Sequence, residues 1–427
     1  FQSTQGHISI SKKLSQKSTL GIEFTKMYYL AQQPGGLTDN LFNTNPDTSV
    51  RERNWFRVNW NLAALNFNHV FSSNASLSSK TFGLIASRES LGYLDQINRI
   101  DPIYLDPEQA GRNLISGMFQ NIGNETRFIQ KYRAFDQPWA FVSGIRVYKG
   151  YSENRQGSAN KEYGPDFYFV GLDGSATNSN VNTDYQFPSF NLALFGEHIF
   201  NVSKKLSITP GLRYEYISTN ASGSYRYTNF DLAGNIVFDT LFTSDRSSNR
   251  DFVIAGLGVT YKATKDIELY SNFSPNYRSI HFTEMQIQNP NFKIDPDLQD
   301  ETGFNSDIGI RGQISNKLFF DASVYAMYYN NRIGTTLEVD PILFSTYQYR
   351  TNVSAARTYG VECMSEVDWW KVIVSDTADI RLSTFVNFSY NNAIYVRSEE
   401  AAFEGKLVEL VPPIVLKTGL TIGTNRF

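Results

Sequence analysis

Between Arg250 and Arg278 the chain reads RDFVIAGLGVTYKATKDIELYSNFSPNYR, and this stretch constrains everything around it. Val253, Ala255, Leu257, Val259 and Tyr261 are apolar, with Gly256, Gly258, Thr260 and Lys262 between them. That is the period of two of a strand whose faces meet different surroundings. The pattern breaks at Ala263, Thr264, Lys265 and Asp266, then restarts with Ile267, Leu269 and Phe273 against Glu268, Asn272, Ser274 and Asn276. A short polar turn between two antiparallel strands of about ten residues makes a hairpin. Strands of that length, tilted, cross a bilayer core, and a polar second face suits the inside of a closed barrel.

The unit recurs along the chain. His7 to Leu14 and Thr19 to Tyr29 flank a turn at Ser15 to Ser18, and Arg57 to Phe71 and Ser76 to Arg88 flank Ser72 to Asn74. Glu125 to Phe135 and Ala140 to Tyr148 turn at Asp136 to Pro138, and Phe190 to Phe200 and Leu206 to Ile217 turn at Asn201 to Lys204. Phe304 to Arg311 pairs with Leu318 to Tyr329, Tyr359 to Val367 pairs with Ile380 to Tyr390 through a Trp-containing turn, and a last strand starts near Ile414. Between hairpins lie polar stretches from Ala31 to near Arg53, from Glu89 to Asn124 and from Lys149 to Gln186. The expectation is about fifteen strands, with tight connections alternating with ones of about twenty to forty residues, as in barrels with short periplasmic turns and long extracellular loops.

Face by face the sorting persists. Leu206, Ile208, Pro210, Leu212, Tyr214 and Tyr216 oppose Ser207, Thr209, Gly211, Arg213 and Glu215. Glu268, Asp307, Arg311, Asp321, Glu362 and Arg381 all fall on polar faces. An Arg on the lipid side at mid-membrane costs about 2–4 kcal/mol, which gives the sorting a physical cause. The 15% aromatic content, with 25 Tyr and 32 Phe, suits the ring of amphipathic side chains at a membrane boundary. No apolar run approaches the roughly 18 residues of a spanning helix. A soluble sandwich or propeller is the alternative for such alternation, but gives no reason for the loops to be sorted by length.

Other chemistries find little support. At 427 residues no Pro/Gly/Ser tract divides the chain, so one continuous architecture is expected over 1–427. A net charge of -3 and the lack of basic runs point away from nucleic acid. Cys363, the single cysteine, allows no intrachain disulfide and sits on an apolar strand face. His7, His69, His198 and His281 are too scattered for a zinc motif, and no GxSxG, HExxH or Walker glycine loop occurs, so neither enzyme activity nor a cofactor is expected. Asp295, Asp297, Asp300 and Glu301 could hold a hard cation, but their spacing is not that of an EF-hand, and a solvated loop explains them.

Four segments carry a family resemblance: LSITPGLRYEY from Leu206, LYSNFSPNYR from Leu269, LQDETGFNSDIGIRG from Leu298, and the strand beginning Tyr359-Gly360-Val361-Glu362. Together they resemble the barrel of a TonB-dependent outer-membrane receptor over essentially the whole chain. The stretches QQPGGLTDN, RNWFRVNWNL and FGLIASRESLGYL further resemble the ferric dicitrate branch. The resemblance implies an all-β, transmembrane antiparallel barrel, here part of a 22-stranded one. It implies an outer membrane of a Gram-negative bacterium, outer-membrane lipid around the wall, and import energised by the TonB complex acting on a plug. Against that pattern the chain lacks the plug and about seven of the 22 strands. Phe427 then reads as the edge of a fragment, because Thr421, Gly423 and Asn425 do not form the expected apolar series.

The implied cargo is an iron chelate. Ferric citrate is small and anionic, so its site needs converging guanidinium and carboxamide donors. The expected ligand-binding candidates, at strand tops and in external loops, are Gln32, Gln33, Arg88, Arg99, Arg112, Arg127, Arg146 and Arg155. Another siderophore, cobalamin, a saccharide, or passive porin-like diffusion stays open at this point.

Overall fold

The computed structural model describes the chain except residues 96, 105–110, 172–174, 178–180, 232, 234, 288–291, 340–345, 375–379, 399–400 and 425–427. Its hairpins are β1 (Gln2–Lys13) with β2 (Ser18–Gln32), β3 (Trp55–Ser72) with β4 (Ala75–Gly92), β5 (Arg112–Ala134) with β6 (Gln137–Ala159), and β7 (Val181–Asn201) with β8 (Leu206–Phe230). There follow β9 (Ile236–Lys262) with β10 (Ile267–Arg278), the short β11 (Phe292–Ile294), β12 (Glu301–Ile314) with β13 (Leu318–Val339), β14 (Thr346–Asp368) with β15 (Ile380–Ser398), and β16 (Ile414–Thr424). All but β11 pair with their sequence neighbours in one 16-stranded sheet, and β11 adds in parallel to β14. No described helix is long and apolar enough to cross a membrane.

One face of this sheet is a continuous apolar surface. Register carries it from strand to strand: Val324 opposes Val361, Val361 opposes Tyr390, and Tyr390 opposes Ile414. Ile8, Ile22, Ile122, Leu212, Val253 and Ile308 on this face are all largely exposed, as lipid-facing side chains should be. Cys363 belongs to it, opposite Ala322 and Phe388. In β16 the apolar series runs through the even positions Ile414, Leu416, Leu420 and Ile422, and Phe427 lies outside the described residues. The other face is polar and carries ion pairs such as Arg311 with Glu268 at 2.5 Å and Lys80 with Glu23 at 3.6 Å.

Two expectations about loops need correction. The stretch from Glu89 to Asn124 is not one excursion, since β4 runs on to Gly92 and β5 starts at Arg112. Likewise β6 continues to Ala159 and β7 begins at Val181, which halves the stretch from Lys149 to Gln186. The β8 to β9 link is only residues 231–235, so external connections are not uniformly long. Hairpins that rise past the bilayer explain this: above it both faces are wet, the alternation fades, and strands resemble loop in sequence.

Candidate functional site

The polar face near the long-loop end is where the described structure concentrates donors. The described residues between β10 and β12, 279–287 and 292–300, fold over it as a strap. On one side Phe282 packs on Phe187 with ring centroids 5.3 Å apart, and Ile280 and Met285 join Tyr185 and Ala221 in a buried cluster. On the other, β11 pairs Lys293 with Tyr349, and the Arg350 guanidinium donates to the Thr283 carbonyl at 2.6 Å. Its roots are fixed by Arg250 with Asp300 at 2.5 Å and by Arg278 with Glu301 at 2.5 Å and Glu284 at 3.1 Å. These pairs also account for two of the four carboxylates considered for a cation; Asp295 accepts from the Thr351 hydroxyl at 2.5 Å. Among the described residues no group of three His, Cys, Asp or Glu could hold a metal ion.

Beneath the strap lies a cavity of about 290 Å³, lined on the wall by Arg146, Tyr148, Ser189, Asn191 and Thr219 and above by Ser279, His281 and Phe282. Wall residues are tied to one another. The Asn191 amide donates to Glu215 at 2.6 Å, Glu215 accepts from Arg213 at 2.5 Å, and Arg250 donates to the Thr219 hydroxyl at 3.2 Å. Arg146, over the Phe82 ring, is half-exposed and only 3.7 Å from Glu125, so its guanidinium retains donors for a ligand. The cavity thus offers a guanidinium, hydroxyls and an imidazole, a donor set suited to an anion, while the Asn191 amide is engaged by Glu215 and the Tyr216 carbonyl.

The eight candidates do not gather in one place. Arg127 and Arg146 come together about Glu125 on the polar face, Arg127 pairing directly with that carboxylate. Arg155 lies 3.3 Å from Asp184 and 3.8 Å from Glu153, stacked over Phe169, and Arg88 stacks over Phe56. Arg99 is 64% exposed and 3.9 Å from Asp95. The Gln32 side chain donates to the Glu52 carbonyl at 2.9 Å, and the Gln33 backbone N–H donates to the Asn54 carbonyl at 2.8 Å.

Arg112 is different. It is 1% exposed, and its guanidinium donates to the carbonyls of Asn160 at 3.0 Å, Gly164 at 2.7 Å and Arg53 at 3.4 Å. Such a group holds loops together. Beside it Arg53, fully buried, meets Asp101 with two hydrogen bonds of 3.1 and 2.5 Å and donates to the Lys161 carbonyl at 3.0 Å. Sequence reading missed Asn191, Thr219, Ser279 and His281, which become neighbours only when the strap folds onto a wall distant in sequence. No local signal marks them.

A family model described as TonB dependent receptor-like, beta-barrel, matches residues 8–425. No curated protein sequence matches this chain. Among solved structures, the ferric citrate transporter FecA in its unliganded form superposes with a TM-score of 0.74 at 15% identity, covering 98% of this chain and 55% of that one. The ferric-catecholate import receptor Fiu from K12 E. coli gives 0.69 at 13%, covering 97% and 61%. The ferric yersiniabactin uptake receptor FyuA from Yersinia pestis gives 0.70 at 12%, covering 98% and 56%. The chain therefore spans a little over half the length of these structures, and at such identities the likeness speaks to fold alone.

Proposed function

Because the chain belongs to the TonB-dependent receptor-like β-barrel family of the Gram-negative outer membrane, we propose that it forms the wall of a receptor importing an iron chelate, with ferric citrate as the cargo. The observation that carries this reading is the cavity beneath the strap, where Arg146, Ser189 and His281 converge. A small polycarboxylate complex presents oxygens outward, and a guanidinium satisfies them with paired hydrogen bonds. Passage is proposed to require the TonB complex working on a plug that occupies the lumen, whose ion-paired lining would face it. Arg127, next to Arg146, would extend the cationic surface inward. Arg88, Arg99, Arg155, Gln32 and Gln33 are proposed as outer contacts that a chelate meets before it reaches the cavity.

The test is calorimetric titration of the intact, full-length receptor in detergent with ferric citrate, ferric hydroxamate and cobalamin. Binding of ferric citrate alone, weakened by Arg146→Ala, supports the assignment. Binding of either control in its place overturns the cargo, and binding of none overturns ferric citrate in favour of another nutrient or a passive channel.

A further inference from the structure

Charged residues on this sheet keep to the polar face with few exceptions, and one exception lies inside the apolar band. Lys26 follows Leu20, Ile22 and Phe24 on the lipid-facing side of β2, and its register partners there are Gly6 and Asn61. Counted from Ser18 at about 3.3 Å per residue and a tilt of about 40°, it stands roughly 20 Å above the short-turn end, in the upper part of a band about 25 Å tall. Its ammonium does not point into hydrocarbon unaided. It donates to Asn59 Oδ1 at 2.5 Å and to Asn61 Oδ1 at 2.9 Å. Asn59 lies one step nearer the outer surface than Asn61, so the charge is drawn toward the outer leaflet.

Two neutral carboxamides leave the cation without a counter-charge and with a third N–H. No ion pair among the described residues includes Lys26. Hydrocarbon offers no acceptor, and the layer toward which this ammonium leans is that of the lipid phosphates, which carry the matching charge. Higher on the same face stand the exposed side chains of Lys149, opposite Phe190, and Arg357, over the Tyr359 ring. We propose that Lys26, Asn59 and Asn61 form a binding site on the outer wall of the barrel for a phosphate group of an outer-leaflet lipid headgroup. The phosphate completes the ammonium's shell, and the acyl chains lie along Ile8, Ile22 and Phe24. The site is independent of any cargo in the lumen.

The experiment is native mass spectrometry of the intact receptor in detergent, titrated with hexa-acylated lipid A carrying both phosphates and with the same lipid lacking them. The native protein is expected to retain the phosphorylated lipid selectively. A lysine near a membrane surface contributes about 1 kcal/mol, so Lys26→Met should weaken that binding about fivefold, and Lys26→Arg should restore it. Lys80→Met, on the lumenal face, should leave it unchanged, and circular dichroism of each variant checks the fold. Equal binding by the native protein and Lys26→Met, equal retention of both lipids, or displacement by millimolar inorganic phosphate would each overturn the proposal, the last by making the site one for a free anion.

Discussion

The pair Arg53 and Asp101 joins two external loops, and the Arg53 bond to the Lys161 carbonyl brings in a third. Replacing Asp101 with Asn takes a carboxylate away from a guanidinium that is 0% exposed, while its bond to the Lys161 carbonyl stays. Breaking a buried pair from one side costs about 3–5 kcal/mol, because the surviving charge loses the group that offset its desolvation. Each 1.4 kcal/mol is tenfold in an equilibrium, so local opening of these loops should rise between roughly a hundredfold and a few thousandfold. The barrel strands are held by their own ladders and should not respond. Native-state hydrogen exchange read peptide by peptide measures this: protection should fall in residues 33–54, 97–104 and 160–171 and stay constant in β12 to β14. The double change Arg53→Met with Asp101→Leu should recover much of the loss, since an apolar pair carries no desolvation cost. A loss under tenfold in Asp101→Asn, or a double variant as exposed as the single one, would refute the argument.

Arg146→Ala should weaken chelate binding about ten- to a hundredfold, the loss of a charged hydrogen bond, with unchanged hydrogen exchange. Arg112→Ala should do the opposite, exposing residues 160–171 to exchange because three carbonyls lose their donor; exchange and calorimetry on the two variants check both. The Trp369 indole N–H donates to Thr384 at 2.8 Å on the lipid-facing side of the short-turn end, so Trp369→Phe should remove a fluorescence component quenched by brominated lipid, and an unchanged quenching curve would mean that this ring faces water. Glu409 is held below the usual carboxylate range, chiefly by the hydrogen bond from Tyr395. Its folded pKa being depressed, the contact adds stability above the ordinary glutamate value and loses it as pH falls through the lower folded one, which an NMR titration of residues 404–413 at acid pH would follow.

What the sequence made legible was whatever two solvents impress on a strand. Leu206 to Tyr216 and Val253 to Tyr261 could be assigned residue by residue because lipid and a polar interior demand opposite side chains at successive positions. Tyr151, Glu153 and Arg155 could not, although β6 continues through them, because above the membrane both faces are wet and no alternation is required. Arg112 has the same limits in sharper form. In sequence it is one more loop arginine, and its burial depends on carbonyls from residues 53, 160 and 164. The cavity beneath the strap was invisible for a related reason: Arg146 was legible as a cation at a strand top, but its neighbours Asn191 and His281 belong to segments that meet it only in three dimensions.

The strap also says something about the order in which the molecule assembles. Every long strand pairs with a neighbour in sequence, so hairpins can form one at a time with little chain to close. Residues 279–287 and 292–300 depart from this: Gln286 accepts from Asn154 on β6, while Phe292, Lys293 and Ile294 lie along β14. Those contacts have no partners until both walls are built and the sheet has curved enough to bring them near. Strap docking is therefore a late event that reports on the completion of the strands to either side. A chain stalled partway through β-strand addition would carry this segment loose, with Ile280, Phe282 and Met285 uncovered, a feature that quality-control machinery able to sense exposed apolar surface could read.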